Sequence, residues 1–185
     1  MDAILSDTTG IQRIRGMAGS GKTIVLARKA VELHTAHPQW NIIVTYSTRI
    51  LRRQLETLIG RFYAAKNDGS KYNDEKLRIM QSWGSASSTG VYYEVCLQHG
   101  ISPLNVNKAN AKYGKHANLF SKMCGDLLAS IKQFHKMYDC ILMNSSLNPP
   151  FEMGDPLPRV LKNSYVIMIL VSQAISSRHR RYPNG

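Results

Sequence analysis

The chain has 185 residues, which is enough for one domain with a proper core or for one lobe of a larger multidomain protein, but short for two full domains. Its 24 basic residues outnumber 12 acidic ones, and the formal charge of +12 favours a polyanionic partner, although a solvated basic surface has the same composition. The cysteines, Cys96, Cys124 and Cys140, form no C-x-x-C pair, so neither a disulfide framework nor a zinc site is predicted. We expect reduced thiols in a cytoplasmic protein.

No membrane partner is predicted. The N-terminus lacks a basic stretch followed by an apolar run, so no secretory signal is expected. The longest apolar stretch near the other end, residues 166–175, is well short of the ~20 residues that a membrane-spanning helix needs. The oligomeric state is left open.

A glycine-rich loop lies between the first two predicted elements. Residues 11–15 alternate like a strand, and residues 23–34 are helix formers with few breakers. The segment between them, G-M-A-G-S-G-K-T at Gly16–Thr23, fits the phosphate-loop pattern G-x-x-x-x-G-K-[ST]. Its backbone N–H groups and the helix N-terminus suit a polyphosphate, Lys22 can reach the β- and γ-phosphates, and the Thr23 hydroxyl can ligate Mg²⁺. The implied ligand is ATP or GTP, and an ordinary glycine-rich turn is the alternative. The predicted phosphate-binding residues are Gly16, Ala18, Gly19, Ser20, Gly21, Lys22 and Thr23.

The next elements continue the alternation of strand and helix. Residues 41–46 form an apolar, β-branched run typical of a strand buried on both faces. Thr48 can cap the following helix, whose apolar stripe faces inward while its arginines lie mostly off the stripe. The stripe consists of Leu51, Leu55, Leu58, Ile59 and Phe62, and the arginines are Arg49, Arg52, Arg53 and Arg61. A third strand is predicted at residues 77–81, after a polar loop.

The remaining elements complete an α/β pattern. A polar insertion at about residues 84–116 includes a short helix candidate at 91–99. A helix is predicted at 117–134 and a central strand at 139–143. Strands that alternate with helices predict a parallel sheet flanked by helices.

Taken in order, four segments resemble the first RecA-like lobe of a superfamily 1 helicase of the UvrD/Rep type. They are Gln12, the loop with its flanking residues at Arg15–Thr23, T-Y-S-T at Thr45–Thr48, and Q-S-W-G at Gln81–Gly84. The resemblance covers about residues 11–143. It implies a P-loop NTPase fold, ATP and Mg²⁺ as cofactors, and a DNA helicase that couples ATP hydrolysis to translocation.

The resemblance also implies roles for individual residues. Gln12 would read the adenine and favour ATP over GTP, while Lys22 and Thr23 would hold phosphate and Mg²⁺. The residues implied to lie along a track for single-stranded DNA, with RNA as an alternative, are Thr45, Tyr46, Ser47, Arg49 and Trp83. Tyr46 or Trp83 offers a face on which a base could stack, and core packing is the alternative for both.

One family motif is missing. An acidic D-E-x-x-D motif should follow the strand that ends at Met143, but this chain has Asn144, Ser145 and Asn148 in its acidic positions. In the family the first carboxylate holds Mg²⁺ through water and the second activates the attacking water. The sequence therefore predicts no intact catalytic carboxylate, and ATP binding without efficient hydrolysis.

The departure from the family is abrupt. The acidic motif, the apolar strand after it and the later helicase motifs all disappear after Met143. We expect residues 1–143 to form the ATP-binding lobe. Residues 144–185 are then a divergent tail, disordered or arising from a shifted reading frame or a truncated gene.

Three functions follow from these patterns. The first is an ATP-binding fragment of a superfamily 1 helicase, unable to unwind DNA alone because the 42 residues from Asn144 onward leave no room for a second lobe. The second is a non-catalytic, nucleotide-dependent module that binds nucleic acid. A small-molecule or nucleoside kinase is disfavoured, because no lid-like arginine cluster is visible. Whether the chain is itself an enzyme stays open.

Overall fold

The computed structural model describes residues 11–14, 19–46, 48–115, 119–132, 136–145 and 165–170, and for 11–14, 145 and 165–170 it describes the backbone alone. The strands are β1 (Ile11–Ile14), β2 (Ile42–Tyr46), β3 (Leu77–Gln81), β4 (Cys140–Ser145) and β5 (Tyr165–Leu170). The helices are α1 (Lys22–Ala36), α2 (Arg49–Lys66), α3 (Val91–Gln98), α4 (Val106–Tyr113) and α5 (Leu119–Ser130). None of these helices is long and apolar enough to cross a membrane.

The strands form a parallel sheet, so the predicted α/β class is confirmed. The spatial order is β1-β5-β4-β2-β3, and every pairing is parallel. All five residues of β2 are buried, as expected for a central strand of a sheet covered on both faces. The register aligns Tyr46 with Gln81 on β3 and with Asn144 on β4, so these three strands end at one edge.

The two faces of this sheet pack in separate clusters, with α1 and α2 on one face and Val91 of α3 on the other. Alternate residues of β2 point to opposite sides, and Ile42 and Val44 accordingly pack in one cluster while Ile43 packs in another. The first cluster is the main core, where Leu26 of α1 and Leu55 of α2 meet the sheet. The inner face of α2 is the predicted apolar stripe, and its predicted outer arginines are exposed.

The insertion packs together with α5, which follows it in the chain, in a small helical unit. Its core lies among α3, α4 and α5 and includes Tyr92, Ala109 and Met123. Arg78 of β3 fastens α3 to the sheet, because its guanidinium donates to both carboxylate oxygens of Glu94 at 3.1 and 3.2 Å.

Three details differ from the sequence analysis. The apolar strand thought to be missing after Met143 is present: β4 continues to Ser145, and β5 pairs with both β4 and β1. The run Y-V-I-M-I-L has the composition of a buried parallel strand, but it lies far from the other motifs. Helix α4 was not predicted. Thr48 occupies the N-cap position of α2, but its side chain makes no capping hydrogen bond.

Candidate functional site

The carboxyl edge of the sheet is where the predicted site residues gather. The strands β2, β3 and β4 end there in register, and α1 and α2 begin there. In open parallel sheets, ligands bind at this edge because helix N-termini and loops converge on it.

Two glycines shape the described half of the phosphate loop. Gly19 and Gly21 have φ angles of 79° and 76°, in the left-handed region that favours glycine. A Cβ atom at either position would meet no atom within 4 Å, so backbone conformation rather than space requires these glycines. Gly21 is the N-cap of α1, and its carbonyl accepts from the N–H groups of Ile24 and Val25 at 2.9 and 3.1 Å. Gly16 and Ala18 lie outside the described residues.

Lys22 begins α1 with a buried side chain. It is 7% exposed, and its Nζ donates to Ser20 Oγ at 3.0 Å. A buried ammonium group at a helix N-terminus makes this end of α1 strongly attractive to an anion.

Asn144 joins the end of β4 to the start of α1. Its Nδ2 donates to Thr23 Oγ1 at 3.2 Å, across 121 residues of sequence, and the Asn144 side chain is only 5% exposed. The sheet thus brings the two predicted halves of the site together. A neutral amide meets the threonine hydroxyl at the position where the resemblance expects a carboxylate. Only the backbone of Ser145 is described, and Asn148 lies outside the described residues.

No described carboxylate takes the place of the missing one. Asp139 directly precedes β4, at the end of the strand opposite to Asn144. At ~3.3 Å per residue, the two residues are about 16 Å apart. Asp139 accepts from Lys136 Nζ at 2.8 Å and from the Asn41 N–H at 2.9 Å. Burial pushes its pKa up, but these two donors outweigh burial and leave the pKa below its ordinary value. Among the described residues, no group of three or more His, Cys, Asp or Glu side chains could hold a metal ion.

The predicted nucleic-acid track is mostly internal. Thr45 and Tyr46 are each 3% exposed, so neither can touch a nucleic acid in this conformation. Thr45 Oγ1 shares a 2.9 Å hydrogen bond with Ser82 Oγ, and the Ser82 N–H donates to the Tyr46 carbonyl at 2.9 Å. The Tyr46 ring belongs to the main core, and burial raises the pKa of its hydroxyl. Its predicted use as a stacking face does not fit this burial.

Trp83 also packs within the protein. Its Nε1 donates to the Leu104 carbonyl at 3.0 Å, and its ring centroid lies 5.5 Å from that of Phe120. The packing alternative therefore describes its position better than the stacking one. Ser47 lies outside the described residues.

Arg49 is the predicted track residue that is exposed. It begins α2 at the carboxyl edge, next to Ile50, which is 84% exposed. Arg52 and Arg53 are exposed on the same turn, and Arg52 Nε donates to Glu56 at 2.8 Å. This basic start of α2 is a surface that an anionic polymer could reach.

Sequence reasoning missed the pair Gly84 and Gly90. Backbone atoms of the two residues approach so closely that a Cβ on Gly90 would lie 2.5 Å from Gln81 O and from Gly84 Cα. This approach fixes where α3 begins relative to β3. Two glycines that flank a serine-rich segment were the signal for it.

Comparisons of the chain with protein-family models, with curated proteins and with solved structures gave no match. The argument for a function therefore depends on the residues themselves and on their geometry.

Proposed function

We propose that this chain binds ATP through Gly16–Thr23 and corresponds to the first RecA-like lobe of a superfamily 1 DNA helicase, with little hydrolysis of its own. The observation that supports this best is the hydrogen bond between Asn144 and Thr23, because it joins a phosphate-loop sequence to the strand end at which the resemblance expects the acidic motif.

The described half of the loop suits a polyphosphate. The left-handed glycines free the backbone to approach phosphate oxygens, and the first-turn N–H groups of α1 carry the positive end of the helix dipole. Lys22 adds a full positive charge. Gln12, on β1, is proposed to read the adenine.

Weak hydrolysis follows from the chemistry of Asn144. An amide has no negative charge with which to attract a hydrated metal ion and cannot accept a proton from the attacking water. Turnover in this family would also need a second lobe, whose arginine is worth ~10³ or more in rate.

Single-stranded DNA, with RNA as the alternative, is the proposed polymer ligand. The support is the formal charge of +12 and the exposed arginines at the start of α2. Because Tyr46 is buried and Trp83 is half-buried against Phe120, we expect binding by phosphate contacts rather than by base stacking.

A second candidate is a non-catalytic module in which ATP merely orders the lobe. It is favoured by the way Asn144 is built into the fold, because a nearly buried amide with a hydrogen-bond partner is a settled structural feature. The two candidates share the same nucleotide site and the same lack of turnover.

Isothermal titration with ATP tests the shared proposal. We expect weak binding by the wild type, because two-lobed motors clamp the nucleotide from both sides, and loss of detectable binding in Lys22→Ala. The control is Lys122→Ala, which removes the same charge from an exposed position on α5. Circular dichroism checks that both variants fold. Equal ATP affinity in wild type and a folded Lys22→Ala variant would show that this loop is not the site.

A further inference from the structure

We infer that this site takes its nucleotide without Mg²⁺, and that Asn144 is the residue responsible. The inference rests on the proposed ATP binding at Gly16–Thr23. It concerns the chemical form of the ligand, a metal-free nucleoside polyphosphate rather than its magnesium complex.

The hydroxyl that would ligate the cation already faces a donor. Thr23 Oγ1 accepts a hydrogen bond from Asn144 Nδ2 at 3.2 Å. A hydroxyl oxygen has two acceptor positions, so one lone pair remains. However, the hydrogen on Nδ2 is partially positive and lies beside the place where a cation would bind to that oxygen. The Asn144 amide hydrogen would repel a magnesium ion bound to that oxygen, whereas a carboxylate in place of Asn144 would attract the ion.

The rest of the described donor set does not compensate. Mg²⁺ requires near-octahedral oxygen ligands and is normally held by one or two carboxylates together with phosphates. Asp139, just before the strand that contains Asn144, is about 16 Å from Asn144 and pairs with Lys136. The other described ion pairs take up Glu32, Glu56, Glu94 and Asp126. Asp68, Asp74 and Glu75 lie in the segment before β3, at the opposite edge of the sheet. The residues that the structure describes therefore do not fit the metal.

The same groups suit a free anion. Metal-free ATP has more negative charge than its magnesium complex, and the described site presents the Lys22 ammonium, the N-terminus of α1 and no carboxylate. The Asn144 amide has two N–H donors, and its described hydrogen bond to Thr23 uses one, which leaves the second to donate to a phosphate oxygen as far as the described contacts go. Replacing a carboxylate by this amide turns a place that collects cations into one that collects anions.

The experiment compares ATP affinity in excess Mg²⁺ with ATP affinity in EDTA, for wild type and Asn144→Asp. In the wild type we expect EDTA to raise the apparent affinity about tenfold or more, because excess Mg²⁺ converts most of the ATP into a complex that the site does not take. Equal affinities in Mg²⁺ and in EDTA would overturn the inference. In Asn144→Asp we expect EDTA to weaken binding by about tenfold or more, because the new carboxylate repels free phosphate and attracts the metal. Asn107→Asp makes the same charge change at an exposed position on α4 and should behave as wild type.

Thr23→Ala provides a second measurement in case Asn144→Asp does not fold. If Thr23 is not a metal ligand, its loss changes the affinities in Mg²⁺ and in EDTA by the same factor. A loss confined to Mg²⁺ would overturn the inference, as would wild-type binding that disappears in EDTA. Either of those results leaves ATP binding itself intact, whereas no binding under both conditions overturns the proposed function and this inference with it.

Discussion

Replacing Gly90 by alanine should unfasten the insertion from the sheet. Gly90 is buried and has a φ angle of −116°, which any residue adopts, so an alanine there suffers from contact rather than from backbone strain. Its Cβ would lie 2.5 Å from Gln81 O and from Gly84 Cα. These are backbone atoms, and no side-chain rotation can relieve the overlap.

The cost can be worked out from the atoms that must move. Real Cβ atoms essentially never approach closer than 3.0 Å, so the two segments must separate by at least about 0.5 Å. The hydrogen bonds from Tyr92 N to Ser82 O at 2.9 Å and from Tyr93 N to Trp83 O at 3.2 Å span the same gap. Overpacking costs roughly 1–3 kcal/mol and each of the two weakened hydrogen bonds about 1 kcal/mol, which gives about 3–5 kcal/mol in the free energy of unfolding.

Urea unfolding followed by circular dichroism measures this cost. The matched control is Gly125→Ala, an exposed position within α5 where a Cβ meets no atom within 4 Å. It should stabilise the protein by about 0.5–1 kcal/mol, since alanine is the better helix former. If both substitutions shift the unfolding midpoint alike, the close approach of Gly84 and Gly90 does not exist in solution.

Three further predictions concern charge and catalysis. Arg49→Ala should weaken binding of single-stranded DNA more than Arg61→Ala, which removes the same exposed charge near the other end of α2. Fluorescence anisotropy at fixed salt measures both affinities. Equal losses of affinity would mean that the attraction is diffuse. Burial lowers the pKa of His34 below 6.5, and its Nδ1 has no hydrogen-bond partner among the residues that the structure describes, so the unfolded chain takes up the proton more readily. The stability that neutral His34 contributes is therefore present above pH 6.5 and lost as the pH falls below it. We expect His34→Gln to flatten the dependence of the unfolding free energy on pH between about 7 and 5. Asn144→Asp with Ser145→Glu should raise ATP turnover only slightly, because the arginine of a second lobe, worth ~10³ or more, is still missing; robust turnover by the unmodified chain would contradict our account of the lost carboxylates.

Local patterns predicted most of the central elements. The alternation at residues 77–81 gave the bounds of β3, and the apolar run at 41–46 gave β2 to within one residue. The stripe on α2 predicted which side packs, because a period of 3.6 residues determines the buried face wherever the partner lies.

Contacts between distant segments were harder to predict. An aromatic residue at a strand end looks the same in the sequence whether it faces a ligand or the core. Only the fold shows that Tyr46 is buried and that Trp83 packs half-buried against Phe120. The hydrogen bond from Asn144 to Thr23 depends on strand order, which no local pattern contains. The glycine angles in the loop, by contrast, were implied by the motif itself.

The position of β5 in the sheet also determines when the newly synthesised chain can complete its strand pairing. The first strand, β1, pairs through residues 11–14 with β5, whose residues 166–169 leave the ribosome about 150 residues later. At roughly 5–20 residues per second, the strand that leads into the phosphate loop waits about 8–30 s for its neighbour. In the last part of that interval, after β4 has been made, β4 presents an unpaired edge on the side that β5 will occupy. Chains truncated before residue 165 would contain the whole loop sequence without the strand that attaches it to the sheet. We expect chaperones and proteases to act on such chains, and we do not expect them to bind ATP.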